Sequence, residues 1–207
     1  PVGVFESKSN PSNLTPHRLH LRIDPGGEGI LILNAKTVLH LNSTATEYAY
    51  GLIQKHTPSQ IVRRMKGRYQ ISRDQIIHDY SDFSQRLETL ITTPDLSPEI
   101  FLGFDRIDPH STKLSSPLRV DCALTYRIPQ SSTIKTTPTE RVSRELSFDE
   151  WKLILTKSWE AGIPHVIFTG GEPCMRPDLP ELIAHAEALG MVSGLLTCGY
   201  RLSEKKY

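Results

Sequence analysis

Phe168-Thr-Gly-Gly-Glu-Pro173 sets two glycines and a carboxylate directly after a short apolar run. Residues without a Cβ let the backbone approach a bound molecule closely, and Glu172 supplies an acceptor or a charge. The competing account is a tight turn with a helix-facing glutamate, and the position at the end of a strand favours a ligand site. Cys174 and Cys198 follow two strand ends expected to be neighbours, where a two-thiolate site completed by a histidine is conceivable chemistry. No metal site is assigned, because the eight histidines are scattered without a ligand spacing beside a cysteine. His165 and His185 read as structural or surface residues, and Cys122 as a small apolar residue inside a strand.

The elements that would position this turn follow from periodicity and caps. Residues 118–126 form a predominantly apolar strand. Ser147-Phe-Asp-Glu150 reads as a capping box for a helix to about Ala161, and Gly162-Ile-Pro164 turns into a strand over 165–169. Asp178-Leu-Pro-Glu181 reads as the cap of a helix ending at Gly190, before a strand over 191–197. Strand and helix alternate, which predicts a parallel sheet with its carboxyl ends on one face. Arg127 onward, 169–174 and 197–199 should therefore converge.

The N-terminal half has another texture. Residues 17–23 alternate, with His17, Leu19, Leu21 and Ile23 on one face and Arg18, His20 and Arg22 on the other. Asp24-Pro-Gly-Gly-Glu28 supplies a turn before an apolar strand over 30–33. Residues 38–41 give a third strand. Thr44-Ala-Thr-Glu47, Thr57-Pro-Ser-Gln60 and Ser72-Arg-Asp-Gln75 read as the caps of three helices, the last carrying an apolar stripe through Ile76, Tyr80, Phe83, Leu87 and Leu90. Three strands followed by three helices predict an α+β, winged-helix-like domain over 1–92. Residues 93–117, with four prolines and no sustained period, read as a linker. An α/β partial barrel of parallel strands is expected over 118–207.

Charge narrows the partners. The 207 residues carry 24 Lys+Arg and 23 Asp+Glu, and both halves are close to neutral. Bulk electrostatics therefore predicts neither a membrane nor a nucleic-acid partner. Arg63, Arg64, Lys66, Arg68 and Arg73 crowd one region and keep a DNA-binding regulator as an alternative, against a solvated basic face balanced by Asp74, Asp79 and Asp82. No apolar run approaches the roughly 20 residues of a membrane span. Three cysteines at wide spacing suit a reducing compartment, so the cytoplasm is expected. A first residue that is not Met and a helix cap at Ser203 with no helix to follow suggest a fragment of a longer chain.

Two resemblances rest on these residues. Residues 33–47, a hydrophobic helix, and Ile61-Val-Arg-Arg-Met-Lys-Gly-Arg-Tyr69 resemble the PqqD family and related peptide-recognition domains of ribosomal-peptide modification systems. That resemblance implies capture of a precursor leader peptide as an added strand. Thr37, Val38, Leu39 and Leu41 would be the docking edge, with Tyr80 and Phe83 lining the groove, although each aromatic taken alone reads as core.

Residues 168–173, with Arg176-Pro-Asp-Leu-Pro-Glu-Leu-Ile183 and Thr197-Cys-Gly-Tyr200, resemble the radical S-adenosylmethionine family. The cofactor this implies is S-adenosylmethionine, whose amino-acid end Gly170, Gly171 and Glu172, beside Pro173, would take, with Thr197 continuing the pocket. That family also holds a 4Fe-4S cluster on three cysteines spaced C-x3-C-x2-C after its first strand. Here those positions fall on Ile128, Ser132 and Lys135, none of which replaces a thiolate. The expectation is a peptide-binding protein of a pyrroloquinoline quinone or ribosomal-peptide pathway with a degenerate radical domain. The alternative is an active radical enzyme whose cluster rests on unusual ligands, a partner or missing sequence. Three parallel strands also leave an open edge for a radical-enzyme partner or a second copy.

Overall fold

The computed structural model describes residues 1–10, 12–34, 36–93, 95–103, 115–130, 143–199 and 201. The chain divides into two compact units, Pro1–Ser115 and Ser116–Tyr207.

The first unit opens with four strands, β1 (Gly3–Lys8), β2 (Arg18–Ile23), β3 (Gly29–Leu33) and β4 (Thr37–Leu41). They form an antiparallel sheet in that order. The helices α1 (Ser43–Ile53), α2 (Pro58–Lys66), α3 (Arg73–Thr92) and α4 (Pro98–Leu102) follow. The expected hairpin is present: the Asp24 and Glu28 backbones close it at 2.9 Å, and Leu21 pairs with Leu31. Period-two alternation places Leu19, Leu21, Leu31 and Leu41 on one face, packed with Ala49 and Ile53 of α1 and Leu87 and Leu90 of α3. Removing such a set of side chains from water is the main force holding helices on the sheet. His20 and Arg22, on the other face, are buried too.

Four sequence expectations are corrected in this unit. The sheet has four strands rather than three, because β1, with Phe5 opposite Leu21, pairs along β2. Its Glu6-Ser7-Lys8 end lacks the apolar run that marks a strand. The cap of α1 is Asn42, not Thr44: Asn42 Oδ1 accepts the Ala45 N–H at 2.9 Å and the Thr44 hydroxyl at 3.0 Å. The stretch read as linker contains α4, and Phe101 and Leu102 pack against the sheet–helix core. The Thr57–Gln60 box is reciprocal as expected, while at Ser72 only the hydroxyl caps and Gln75 turns to Asp79 Oδ1 at 2.6 Å.

The second unit carries β5 (Arg119–Thr125), α5 (Phe148–Glu160), β6 (His165–Gly170), a single 3-10 turn (Pro173–Met175), α6 (Leu179–Leu189) and β7 (Val192–Leu195). The strands form the expected parallel sheet in the order β5-β6-β7. Cys122, Leu124, Val166 and Phe168 meet Trp151 and Leu155 of α5 and Leu179 and Leu182 of α6 in one core. Ser147 and Glu150 form the predicted box, and Gly190 ends α6 at φ 95°. Asp178 precedes α6 without a side-chain cap bond, because its carboxylate is taken by Arg176. Together the units give an α+β fold of one antiparallel and one parallel sheet. Among the described residues no helix is long and apolar enough to cross a membrane.

Candidate functional site

Each unit holds one concave or convergent feature, and each is built from its own elements. In the first, β4 ends the described sheet, so alternate backbone groups of Thr37–Leu41 face away from β3. Beside that edge lies a groove of about 1120 Å3. Thr37, Val38, Leu39 and Leu41 line it from β4, Ala45 and Tyr48 from α1, and Phe83, Leu87 and Leu90 from α3. Five of the predicted peptide-binding residues therefore share one wall system: Thr37, Val38, Leu39, Leu41 and Phe83. Tyr80 lies elsewhere. Its ring sits 5.9 Å from that of Tyr48, in the small core of Ile61, Met65 and Ile76, and it is not among the groove residues. The helical period explains the split, since residues 80 and 83 share a broad stripe of which only part faces the sheet edge. Asp79 and Asp82, read from the sequence as part of a solvated face, also line the groove, as does Arg86.

The basic crowd on α2 is partly committed. Glu47, 7% exposed, accepts Arg64 Nη2 at 2.8 Å and also binds Arg68, and the Arg64 guanidinium lies 4.6 Å from the centre of the Tyr50 ring. Two of the five cations thereby pair with an internal carboxylate, Arg68 with its side chain still half exposed.

In the second unit the ends of β5, β6 and β7 converge. The glycines of the turn are required by the chain itself. A Cβ at Gly170, whose φ is 123°, would sit 2.2 Å from the Thr125 carbonyl oxygen, and one at Gly171 2.2 Å from that of Arg127. The Gly171 and Glu172 N–H groups donate to those same carbonyls at 2.7 and 2.8 Å. Glu172 is 1% exposed and fully engaged. Its Oε1 accepts the Cys174 N–H at 2.9 Å and the Thr197 hydroxyl at 2.7 Å, and its Oε2 accepts the Cys198 N–H at 2.8 Å. Burial pushes the carboxyl pKa up, but the donors on Cys198, Thr197 and Cys174 outweigh it and hold the value near about 2. Glu172 thus ties the β6 turn to the segment after β7, and buried Pro173 opens the 3-10 turn.

Sequence reasoning missed the polar staple around Arg176. This arginine is 5% exposed. It donates to the Leu124 and Leu146 carbonyls at 3.2 and 2.9 Å and forks onto Asp178 at 2.9 and 2.6 Å. Glu145 accepts the Thr125 hydroxyl and pairs with Arg127 at 3.4 Å. Both stems of the segment between residues 125 and 146 are pinned by these groups. The Arg176-x-Asp178 spacing is the available signal; Asp178 reads from the sequence as a helix cap and Arg176 as part of the family resemblance.

The donor set does not fit a 4Fe-4S cluster. No cysteine lies between Cys122 and Cys174. Cys122 is buried in β5, where burial and the charge of Asp121 push its thiol up to about 11. Cys174 is buried with its thiol raised by burial, its Sγ is 3.5 Å from the Thr197 hydroxyl, and Cys198 is exposed. Among the described residues no group of three or more His, Cys, Asp or Glu is arranged to hold a metal ion. Ile128 is described; Ser132, Lys135, Tyr200 and Ser203 lie outside the described residues.

No family model matches the chain. Over 95 residues it is 38% identical to the PqqA peptide cyclase of Streptomyces rochei, an alignment covering 45% of this chain and 26% of the cyclase. Over 92 residues it is 40% identical to the PqqA peptide cyclase of Rhodopseudomonas palustris, covering 44% and 24%. The match spans about a quarter of the length of these curated relatives. Streptococcus suis SuiB bound to S-adenosylmethionine superposes with a TM-score of 0.53 at 17% identity, over 91% of this chain and 42% of SuiB, a likeness of fold.

Proposed function

We propose that this chain serves a peptide-modification system and that its first unit, as a PqqD-like module, captures a precursor peptide as a fifth strand along β4. The observation that carries the reading is the open β4 edge beside an apolar groove of about 1120 Å3. The groove follows the whole of Thr37–Leu41, as docking of an extended segment requires. Backbone pairing would supply affinity, and the walls of Phe83, Leu87 and Leu90 would select alternate side chains. The curated relatives, named as cyclases of the PqqA peptide, support a place in pyrroloquinoline quinone or ribosomal-peptide chemistry.

The second unit is proposed to be part of a radical S-adenosylmethionine-like barrel that lacks its cluster. S-adenosylmethionine is the cofactor proposed for the turn at Gly170 and Gly171, next to Thr197. Glu172 then acts as a positioning residue, since its carboxylate is spent on internal donors. No redox step is assigned to it. The commitment of Arg64 and Arg68 to Glu47 favours peptide over DNA as the partner. The cytoplasm is the proposed compartment, and a partner or second copy is proposed for the β7 edge.

The test takes a displayed library of random 12-residue peptides selected on the full chain. A selected peptide should slow hydrogen exchange at alternate amides of Thr37–Leu41, and N-methylation of every second peptide nitrogen should abolish binding in one register only. Binding insensitive to N-methylation in both registers overturns strand capture.

A further inference from the structure

The groove has a direction. Lys36, just before β4, pairs with Asp95, just after α3, at 3.3 Å. Tyr48, one turn into α1 beyond the far end of β4, packs against Tyr80 in the first half of α3 and Phe83 at its middle. β4 and α3 therefore run oppositely along the groove, and the wall that α3 contributes is graded. Asp79 and Asp82 line the end near Leu41 and Asn42, and Leu87 and Leu90 line the end near Thr37.

The acidic end is under-compensated. Asp79 is met by the neutral amide of Gln75, and Asp82 pairs with Arg86 at 2.9 Å on the surface. Apart from Lys36 at the opposite end and His40 on β4, Arg86 is the one basic side chain among the described groove residues. A second feature lies at the same end. Tyr48 is 5% exposed, and its hydroxyl is buried with no hydrogen-bond partner among the described residues. Burial and then the charge of Asp79 raise its pKa. A positive, hydrogen-bonding group at this end would relieve both the uncompensated carboxylate and its field on the phenol.

Lengths agree with a peptide strand. Asp79 to Leu90 spans roughly 16 Å of helix at 1.5 Å per residue, the reach of about five strand residues. The docking edge β4 is 5 residues long. Resting on the strand-capture reading, we propose that the captured peptide carries a lysine or arginine over Asp79 and Asp82, with apolar side chains two and four positions away against Phe83, Leu87 and Leu90.

The experiment uses peptides selected from the displayed library on the full chain, with Kd read by fluorescence anisotropy. Selected sequences should contain Lys or Arg at that spacing from two apolar residues. Asp79→Asn combined with Asp82→Asn should weaken the selected peptide about tenfold or more, as loss of charged hydrogen bonds does. Replacing the peptide's basic residue by Gln should cost a similar factor in the unaltered protein and nothing further in the double variant. Asp79 is only half-buried and Asp82 exposed, neither belongs to the buried set of Ile76, Leu87 and Leu90, and an unchanged circular dichroism spectrum and melting point check that the double variant keeps the fold. Unchanged Kd in the double variant, or enrichment of acidic residues at that position, overturns the basic anchor while strand capture stands. Binding unaffected by N-methylation removes strand capture and this inference together.

Discussion

A carboxylate that is 1% exposed and receives three hydrogen bonds is a stabilising group only while it is ionised. The folded-state pKa of Glu172, about 2, lies below its ordinary value of 4.5. By linkage its contribution is fully present above pH 4.5 and is lost as pH falls through 4.5 toward 2, amounting to about 3 kcal/mol. Glu172→Gln keeps the shape but sets amide hydrogens against the Cys198 or Thr197 donors. Urea unfolding at pH 7 should show the second unit of the variant destabilised by about that amount, with a shallower loss between pH 5 and 2. Identical pH profiles for the two proteins would mean that Glu172 does not clamp the turn. The motif's glycine logic was legible, but its object was not. A Cβ at either position would strike the carbonyl of Thr125 or Arg127, a packing reason the sequence does not show, because a strand pairing that far apart in sequence leaves no local trace.

Elements were read well where one segment explains itself. Thr57 and Ser147 cap their helices because both partners of each box lie within four residues, and α3 was visible through the apolar positions it buries. Readings failed where a side chain was recruited over distance. Glu47 completes a local box on paper, but it reaches Arg64 on α2 and Arg68 in the turn after it, and the cap passes to Asn42. Asp178 similarly leaves its helix for Arg176. Arg176 holds the end of β5 through the Leu124 carbonyl and the entry to α5 through the Leu146 carbonyl, so one buried guanidinium ties the strand end to the helix start. Breaking a buried, hydrogen-bonded ion pair by removing one member costs about 3–5 kcal/mol. Arg176→Met should therefore unfold the second unit at markedly lower urea, with Trp151 and Trp159 reporting through fluorescence, since both belong to that unit's core. A midpoint within 0.2 M of the parent, an arbitrary threshold of about 0.5 kcal/mol or less at ordinary urea slopes, would exclude the staple.

At the scale of the whole molecule, order of elements and chemistry of donors point in different directions. The parallel β5-β6-β7 sheet, the turn after β6 and the likeness of fold to SuiB agree with the radical S-adenosylmethionine-like barrel proposed for the second unit. The cysteines do not. A 4Fe-4S cluster needs thiolates converging from one loop, and here one thiol is buried in a strand with its pKa near about 11, a second is buried against Thr197, and a third is exposed. Anaerobic reconstitution with iron and sulfide should therefore leave the protein without the broad charge-transfer absorption of a bound cluster and without stoichiometric acid-labile sulfide. A companion variant separates loop chemistry from scaffold. Ile128→Cys, Ser132→Cys and Lys135→Cys together restore the C-x3-C-x2-C spacing after β5, whose stems Arg176 and Glu145 already pin. If the scaffold is otherwise competent, the triple variant takes up a cluster and the parent does not, and the missing function is three thiolates deep. A cluster in the parent would overturn the reading of those three positions and return the chain to the radical enzymes. Failure of both, with the variant folded by circular dichroism, would place the loss in the scaffold as well and leave peptide capture on β4 as the activity to pursue.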